Sequence, residues 1–196
     1  MTPPSLPARI QRRLAGLYGL DAPSVDDFVH VSEDGREVVY VREADDELEI
    51  AVHLPRHHLE AREPTLDGLC QIAEGVSHFL YIAERARRQL PTTWLELELQ
   101  AEVDKFVLLS DVVPDGRGAF DVARAVRLRE RLYEDVSFTH ALGSDEGDRY
   151  RVANSVAARF AQKVQRLRIS GGRVVRALRD FYGAGQREKL EIALAA

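Results

Sequence analysis

Between Asp27 and Leu54 the apolar residues recur at every second position, and on both sides of that segment they recur at helical spacing. A period of two sends alternate side chains to opposite faces of a strand, and a period near 3.6 keeps them on one face of a helix. One block of strands set inside helical sequence specifies an α+β protein, not an alternating α/β one. Within the block, Val29 and Val31 run into Ser32-Glu33-Asp34-Gly35, where Asp-Gly is a hairpin signal. Val38 to Val41 gives a second strand, and Ala44-Asp45-Asp46 turns the chain again. Leu48, Ile50, Val52 and Leu54 alternate with Glu49, Ala51 and His53 as in a strand with one buried face, and Pro55 ends it. These signals predict a three-stranded antiparallel meander. So small a sheet is marginal alone, so its apolar face needs helices to cover it.

The flanking sequence supplies them. Ser5 is placed to cap a first helix with Pro7 in its first turn, Ile10, Leu14, Leu17 and Tyr18 form its apolar stripe, and Gly19 stops it. After Pro64, Leu66 to Leu90 reads as one long helix broken by Pro91. Thr93 and Glu96 have capping-box spacing and open a helix through Leu109. Pro114-Asp115-Gly116 is a loop, Asp121 to Val136 an amphipathic helix, and Asp148 to Leu167 a helix rich in small residues. Helices over Val174–Tyr182 and Gln186–Leu194 follow, set off by glycines. The expected architecture is an N-terminal helix and antiparallel meander (1–60) packed against a C-terminal helical body of about six helices (61–196), as a single composite domain over 1–196.

A chain of 196 residues, 45% hydrophobic and 30% charged, has globular composition. The lone cysteine, Cys70, excludes an intramolecular disulfide and a cysteine-based zinc cluster, and fits a reducing, bacterial-type cytoplasm. No apolar run approaches the roughly 18 residues of a membrane span, and arginines interrupt the start of the chain, so neither a membrane segment nor a signal peptide is expected. The net charge of −5 argues against a generally basic nucleic-acid binder. It is unevenly distributed: residues 1–60 carry 6 basic and 12 acidic groups, 61–150 carry 11 and 17, and 151–196 carry 10 and 3.

Two constellations can carry chemistry. The helix from Leu66 is apolar nearly all round except for a stripe containing Gln71, Glu74, His78, Tyr81 and Arg85. The next helix has two polar stripes, Glu96, Gln100, Asp104 and Glu98, Glu102, Lys105, with apolar residues between. Both stripes cannot face water if both apolar flanks are packed, and an enclosed carboxylate requires a cation or several donors. Glu74 and His78, one turn apart, with Glu98 and Glu102, therefore form a candidate site for a divalent metal such as manganese, iron or zinc, able to activate water for hydrolysis. The structural alternative is a set of salt bridges, Glu102 with Lys105 and Glu74 with Arg85 or the basic C-terminal helices. Familiar helical-bundle sites space Glu and His by three, not four.

The second constellation is the basic run Arg159, Lys163, Arg166, Arg168, Arg173, Arg176 and Arg179, with no acid until Asp180, in which Arg166, Arg168, Ser170, Gly171, Arg173 and Arg176 form the candidate anion site, glycines preceding a helix start among arginines. Amide groups at a helix N-terminus with arginines beside them bind phosphate. The alternative makes Gly171 and Gly172 a helix C-cap and turn. Cys70 reads as a core thiol, and Asn154 as a residue that hydrogen-bonds a neighbour. No nucleophile triad, P-loop or dinucleotide fingerprint is present. Three functions follow as expectations: a non-catalytic interaction or regulatory adaptor that docks on another protein, a metal-dependent hydrolase, and a binder of phosphorylated ligand or nucleic acid through the basic end.

Overall fold

A computed structural model of the chain describes residues 3–44, 47–113 and 120–195, so the turn residues Asp45 and Asp46 and the Pro114-Asp115-Gly116 loop lie outside the described residues. The chain groups into two compact units, Met1–Pro91 and Thr92–Ala196. The boundary falls at the proline that breaks the long helix.

In the first unit, α1 spans Leu6–Tyr18. The Ser5 hydroxyl accepts the Ala8 N–H at 3.0 Å, and Gly19 closes the helix at φ +73°, a left-handed conformation that suits glycine. The strands are β1 (Val29–Ser32), β2 (Val38–Ala44) and β3 (Glu47–Pro55). Their order is β1-β3-β2. β2 and β3 pair antiparallel, Val39 opposite Val52 and Val41 opposite Ile50, as expected. β1 does not pair with β2. It pairs parallel with β3, Val29 opposite Val52 and Val31 opposite Leu54, so the sheet is mixed and not an antiparallel meander. The physical reason lies in β3. It is the longest strand, and its Val52 and Leu54 are fully buried, so it gains most from two partners. β1 has four residues, with Val31 half exposed, and is left at an edge, where short strands are tolerated. The Asp34-Gly35 turn thus carries the chain past β3 without closing a hairpin.

A short helix α2 (Arg56–Leu59) leads to α3 (Leu66–Arg87), whose first turn is capped by the Thr65 hydroxyl accepting the Gly68 N–H at 3.1 Å. Ile72, Val76, Phe79, Leu80 and Tyr81 of α3 are buried. Gly75 faces the sheet closely enough that a Cβ there would stand 3.0 Å from Val52 Cγ1 and 3.1 Å from Leu54 Cδ2. Each buried side chain of this size contributes about 1.5–3 kcal/mol, which is how α3 supplies the cover the sheet requires. The Arg85 guanidinium donates to the Pro91 carbonyl from Nε at 3.0 Å and Nη2 at 2.5 Å, holding the chain where it leaves the helix.

The second unit holds α4 (Trp94–Leu109), α5 (Val122–Tyr133), α6 (Asp145–Ile169), α7 (Val174–Gly183) and α8 (Gln186–Leu194). With α3, these are the six helices expected after residue 60. The Thr93–Glu96 capping box forms: Glu96 N–H donates to Thr93 Oγ1 at 3.2 Å, and Thr93 N–H to Glu96 Oε2 at 2.7 Å. α6 brings Ala153, Ala157 and Ala161, all essentially inaccessible, against its neighbours α4, α5 and α8. Asn154 Nδ2 donates to the Tyr133 carbonyl at 2.9 Å, the neighbour bond expected of it. Stacked Phe160 and Phe181 rings, 4.0 Å apart, join α6 to α7. Among the described residues, no helix is long and apolar enough to cross a membrane.

Candidate functional site

α7 begins immediately after the end of α6, and the two constrain each other. The Ser170, Gly171 and Gly172 N–H groups donate to the carbonyls of Arg166, Arg168 and Leu167, at 3.0, 3.4 and 2.7 Å, and Gly171 sits at φ +71°. These three amides close α6 in the C-cap geometry, so Ser170 and Gly171 shape the turn and present none of those N–H groups to a ligand. Arg173 is the N-cap residue of α7 and makes no side-chain capping bond. Its helix then carries Arg176 and Arg179 at spacing three, on one side. Together with Gly172, Val175 and Asp180, these arginines line a cleft of about 460 Å³. All three belong to the basic run read from the sequence, although only Arg173 and Arg176 stood in its candidate anion site; the i, i+3, i+6 spacing is the signal that adds Arg179.

The electrostatics of the region are lopsided. Arg176 Nε lies 3.7 Å from Asp180 Oδ2, and both side chains are exposed. Among the described residues, Arg159, Arg166, Arg168 and Arg173 form no ion pair with a carboxylate. Arg168 is half-buried with its guanidinium 5.5 Å from the Phe120 ring, and its Nε has no hydrogen-bond partner among the described residues. Lys163 caps α8, donating to the Ile192 carbonyl at 3.0 Å.

The polar stripes of α4 are enclosed. Glu96 (2% exposed), Glu98 (6%), Gln100 (0%) and Asp104 (1%) are all buried. Gln100 Nε2 donates to Asp104 Oδ1 at 2.9 Å, and the Lys189 ammonium, fully buried on α8, donates to Gln100 Oε1 and to the Phe181 carbonyl, each at 2.7 Å. Glu102 accepts from Lys105 Nζ at 2.7 Å, the pairing the salt-bridge alternative expected. Much of this polar chemistry is therefore internal to the second unit.

In the first unit, α3 places a Glu74 carboxylate oxygen and a His78 ring nitrogen within 4.8 Å of each other. His78 is buried, and its Nδ1 stands 3.6 Å from Glu37 Oε1, just before β2. Glu37 stands in the stretch read from the sequence as a hairpin. Glu98 and Glu102, the other two proposed ligands, belong to the second unit. His58 is buried beneath α3, and burial, reinforced by neighbouring His57, holds its ring below the ordinary histidine range. On the outer face of the sheet, the His30 and His53 rings stack 5.2 Å apart, and Tyr40, 59% exposed, meets His53 edge-on at 5.0 Å. Cys70 is half-buried.

No protein-family profile, curated protein or solved structure matches this chain. The site geometry therefore carries the functional reading without support from relatives.

Proposed function

We propose that the chain is a binding protein whose second unit takes up a phosphate-bearing ligand along α7. The observation that carries this reading is the cleft lined by Arg173, Arg176 and Arg179 at one end of α7, where guanidinium groups outnumber the single lining carboxylate, Asp180. Guanidinium forks match phosphate oxygens, and the N-terminal end of α7 adds the favourable end of its dipole. The negative total charge confines such binding to this local surface.

The test is binding of a short single-stranded oligonucleotide and of tripolyphosphate as the salt concentration rises. Three phosphate contacts give a slope of log K against log salt of about −2 for the single strand. Replacing Arg173, Arg176 and Arg179 together by Gln removes binding, and each single replacement makes the slope about 0.7 shallower. Absence of binding to both probes at low salt, or binding unaffected by the triple replacement, refutes the proposal.

A second reading, docking on another protein, is supported by the exposed His30–His53–Tyr40 ring row in the first unit. Aromatic rings of this kind anchor interfaces. Co-purification of a partner at constant stoichiometry, lost on Tyr40→Ser, is the expected result, and retention of the partner by that variant refutes it.

A further inference from the structure

Among the described residues, the strand order β1-β3-β2 leaves β2 with a neighbouring strand on one side only. Backbone direction shows what its other side offers. Val52 N–H donates to the Phe28 carbonyl at 2.9 Å, just before β1, so Val52 points its backbone groups toward β1. The N–H and C=O of one strand residue point the same way, and those of its neighbours point the opposite way. Ala51 and His53 therefore bond to their β2 partners Tyr40 and Val38. Val39 and Val41, opposite Val52 and Ile50, direct their amides and carbonyls away from β3, and the Glu43 backbone follows the same alternation. Glu37 precedes them in this row, but its N–H is taken by Gln71 Oε1 at 3.2 Å, so the open edge starts at Val39.

Natural sheets protect such an edge with lysine, proline, a bulge or a very short strand. β2 uses none of these. Its seven residues contain no lysine or proline, and they pair with β3 one for one from Val38–His53 to Ala44–Glu47, without a bulge. Tyr40 and Val41 are exposed, at 59% and 41%. The strand is complementary to a second copy of itself. Laid antiparallel with full overlap, about a twofold axis through Val41 and perpendicular to the sheet, it forms the pairs Val39–Glu43, Val41–Val41 and Glu43–Val39, each exchanging two backbone hydrogen bonds. That axis keeps both copies of α3 on one face, where Val41 of one copy covers Val41 of the other. On the opposite face Tyr40 of each copy meets Arg42 of the other at the closer, non-hydrogen-bonded spacing. A guanidinium beside a tyrosine ring is favourable, and Arg42 is already oriented by its Nε donating to Glu49 Oε2 at 2.9 Å. Sliding one copy by two residues loses a bonded pair in either direction. One slide also sets Arg42 against Arg42, and the other sets Val38 against Arg42, so charge selects the register centred on Val41.

We propose that two copies of the chain join edge to edge through β2, with the strands of both in one continuous sheet. The proposal is independent of the α7 cleft, and unlike docking of a different protein on the ring row it needs only the purified chain. Sedimentation equilibrium of the full chain over a concentration series is the test. The average mass is expected to rise from the 22.0 kDa of one chain toward twice that value. Val41→Pro removes the two N–H donors at the twofold axis and leaves the β2–β3 bonds intact, because that N–H points away from β3. At up to about tenfold for each bond, it weakens association by about 100-fold. Val41→Glu, which sets two carboxylates face to face, weakens it as well, and circular dichroism checks that both variants are folded. The register has its own readout. Facing Cα atoms of a bonded pair stand about 5.5 Å apart, within reach of a disulfide, so Val41→Cys cross-links two chains under mild oxidation, and Tyr40→Cys and Arg42→Cys do not exceed the wild-type background of Cys70. A mass that stays at one chain at every concentration overturns the proposal. So does undiminished association of either folded Val41 variant, or cross-linking through Tyr40→Cys or Arg42→Cys in place of Val41→Cys.

Discussion

Lys189 is the most exacting test of how the second unit is held together. Its ammonium is fully buried, donates to Gln100 Oε1 and the Phe181 carbonyl at 2.7 Å each, and lies 4.3 Å from the Phe181 ring centroid. Lys189→Met keeps the volume of the stem and removes the donors. The carbonyl oxygens of Gln100 and Phe181 then lose a charged donor in a space water does not reach, at about 1–3 kcal/mol each, and a desolvated cation–π contact worth about 2 kcal/mol is lost. Against this, the variant no longer buries an ammonium, a relief of several kcal/mol that makes the net smaller than the sum. Removing one partner of a buried charged network costs about 3–5 kcal/mol, and that is the expected loss here. Urea denaturation followed by circular dichroism and by fluorescence of Trp94, the only tryptophan and a member of this unit, measures it. Gln100→Leu and Asp104→Leu, added to Lys189→Met, remove the groups left behind and return stability to within about 1 kcal/mol of wild type, since a wholly apolar replacement of a buried ionic network is often neutral. A Lys189→Met variant within about 1 kcal/mol of wild type, or a triple variant less stable than the single, refutes this account.

Three further outcomes follow from the same reasoning. His58 titrates below 6.5 in the folded chain and near 6.5 unfolded, so the unfolded state binds more protons as pH drops below that value; its contribution is full above about pH 6.5 and is lost on acidification, and the urea midpoint of His58→Gln falls less than that of wild type between pH 7 and pH 5. Gly68→Ala puts a Cβ 2.6 Å from the buried His58 Nδ1 and destabilises the first unit by about 1–3 kcal/mol in denaturant titration, an effect that His58→Ala in the same chain relieves. Thr93→Ala breaks the capping box of α4 and loses about 1 kcal/mol by the same assay, while Thr93→Ser retains most of it.

The local periodicities were legible in the sequence, and so were the elements they dictate. The Ser5 and Thr93 caps, the breaks at Pro55 and Pro91, and the alternation of β3 all depend on residues a few positions apart. Strand order was not legible, because it is a competition among strands for the centre of the sheet, and an Asp-Gly turn fits a crossing as well as a hairpin. The enclosed stripe of α4 followed from counting its faces, yet its partner Lys189 lies 89 residues from Gln100, and no spacing rule reaches that far. Ser170-Gly171-Gly172 is compatible with a phosphate cradle or a C-cap in sequence. Only the donation of all three N–H groups to α6 carbonyls decides what those amides do.

The charge pattern gains a sharper meaning once partners are assigned. Residues 151–196 carry ten basic groups against three acids, an excess that the acids of this segment are too few to pair. Lys189 is absorbed, in a buried network, and Lys163 is directed to carbonyls at the end of α8. Arg187 pairs with Glu191 and Arg176 approaches Asp180, both on the surface, where such pairs are worth at most about 1 kcal/mol and yield readily to a competing anion. Arg166 and Arg173 keep their charge directed to solvent. With a screening length near 8 Å at physiological salt, that charge acts only at close range, so the proposed ligand is one that enters the α7 cleft and not one attracted from a distance. Low total charge and the proposed arginine site are therefore compatible: the first opposes indiscriminate polyanion binding, and the second needs only the local charge of α7.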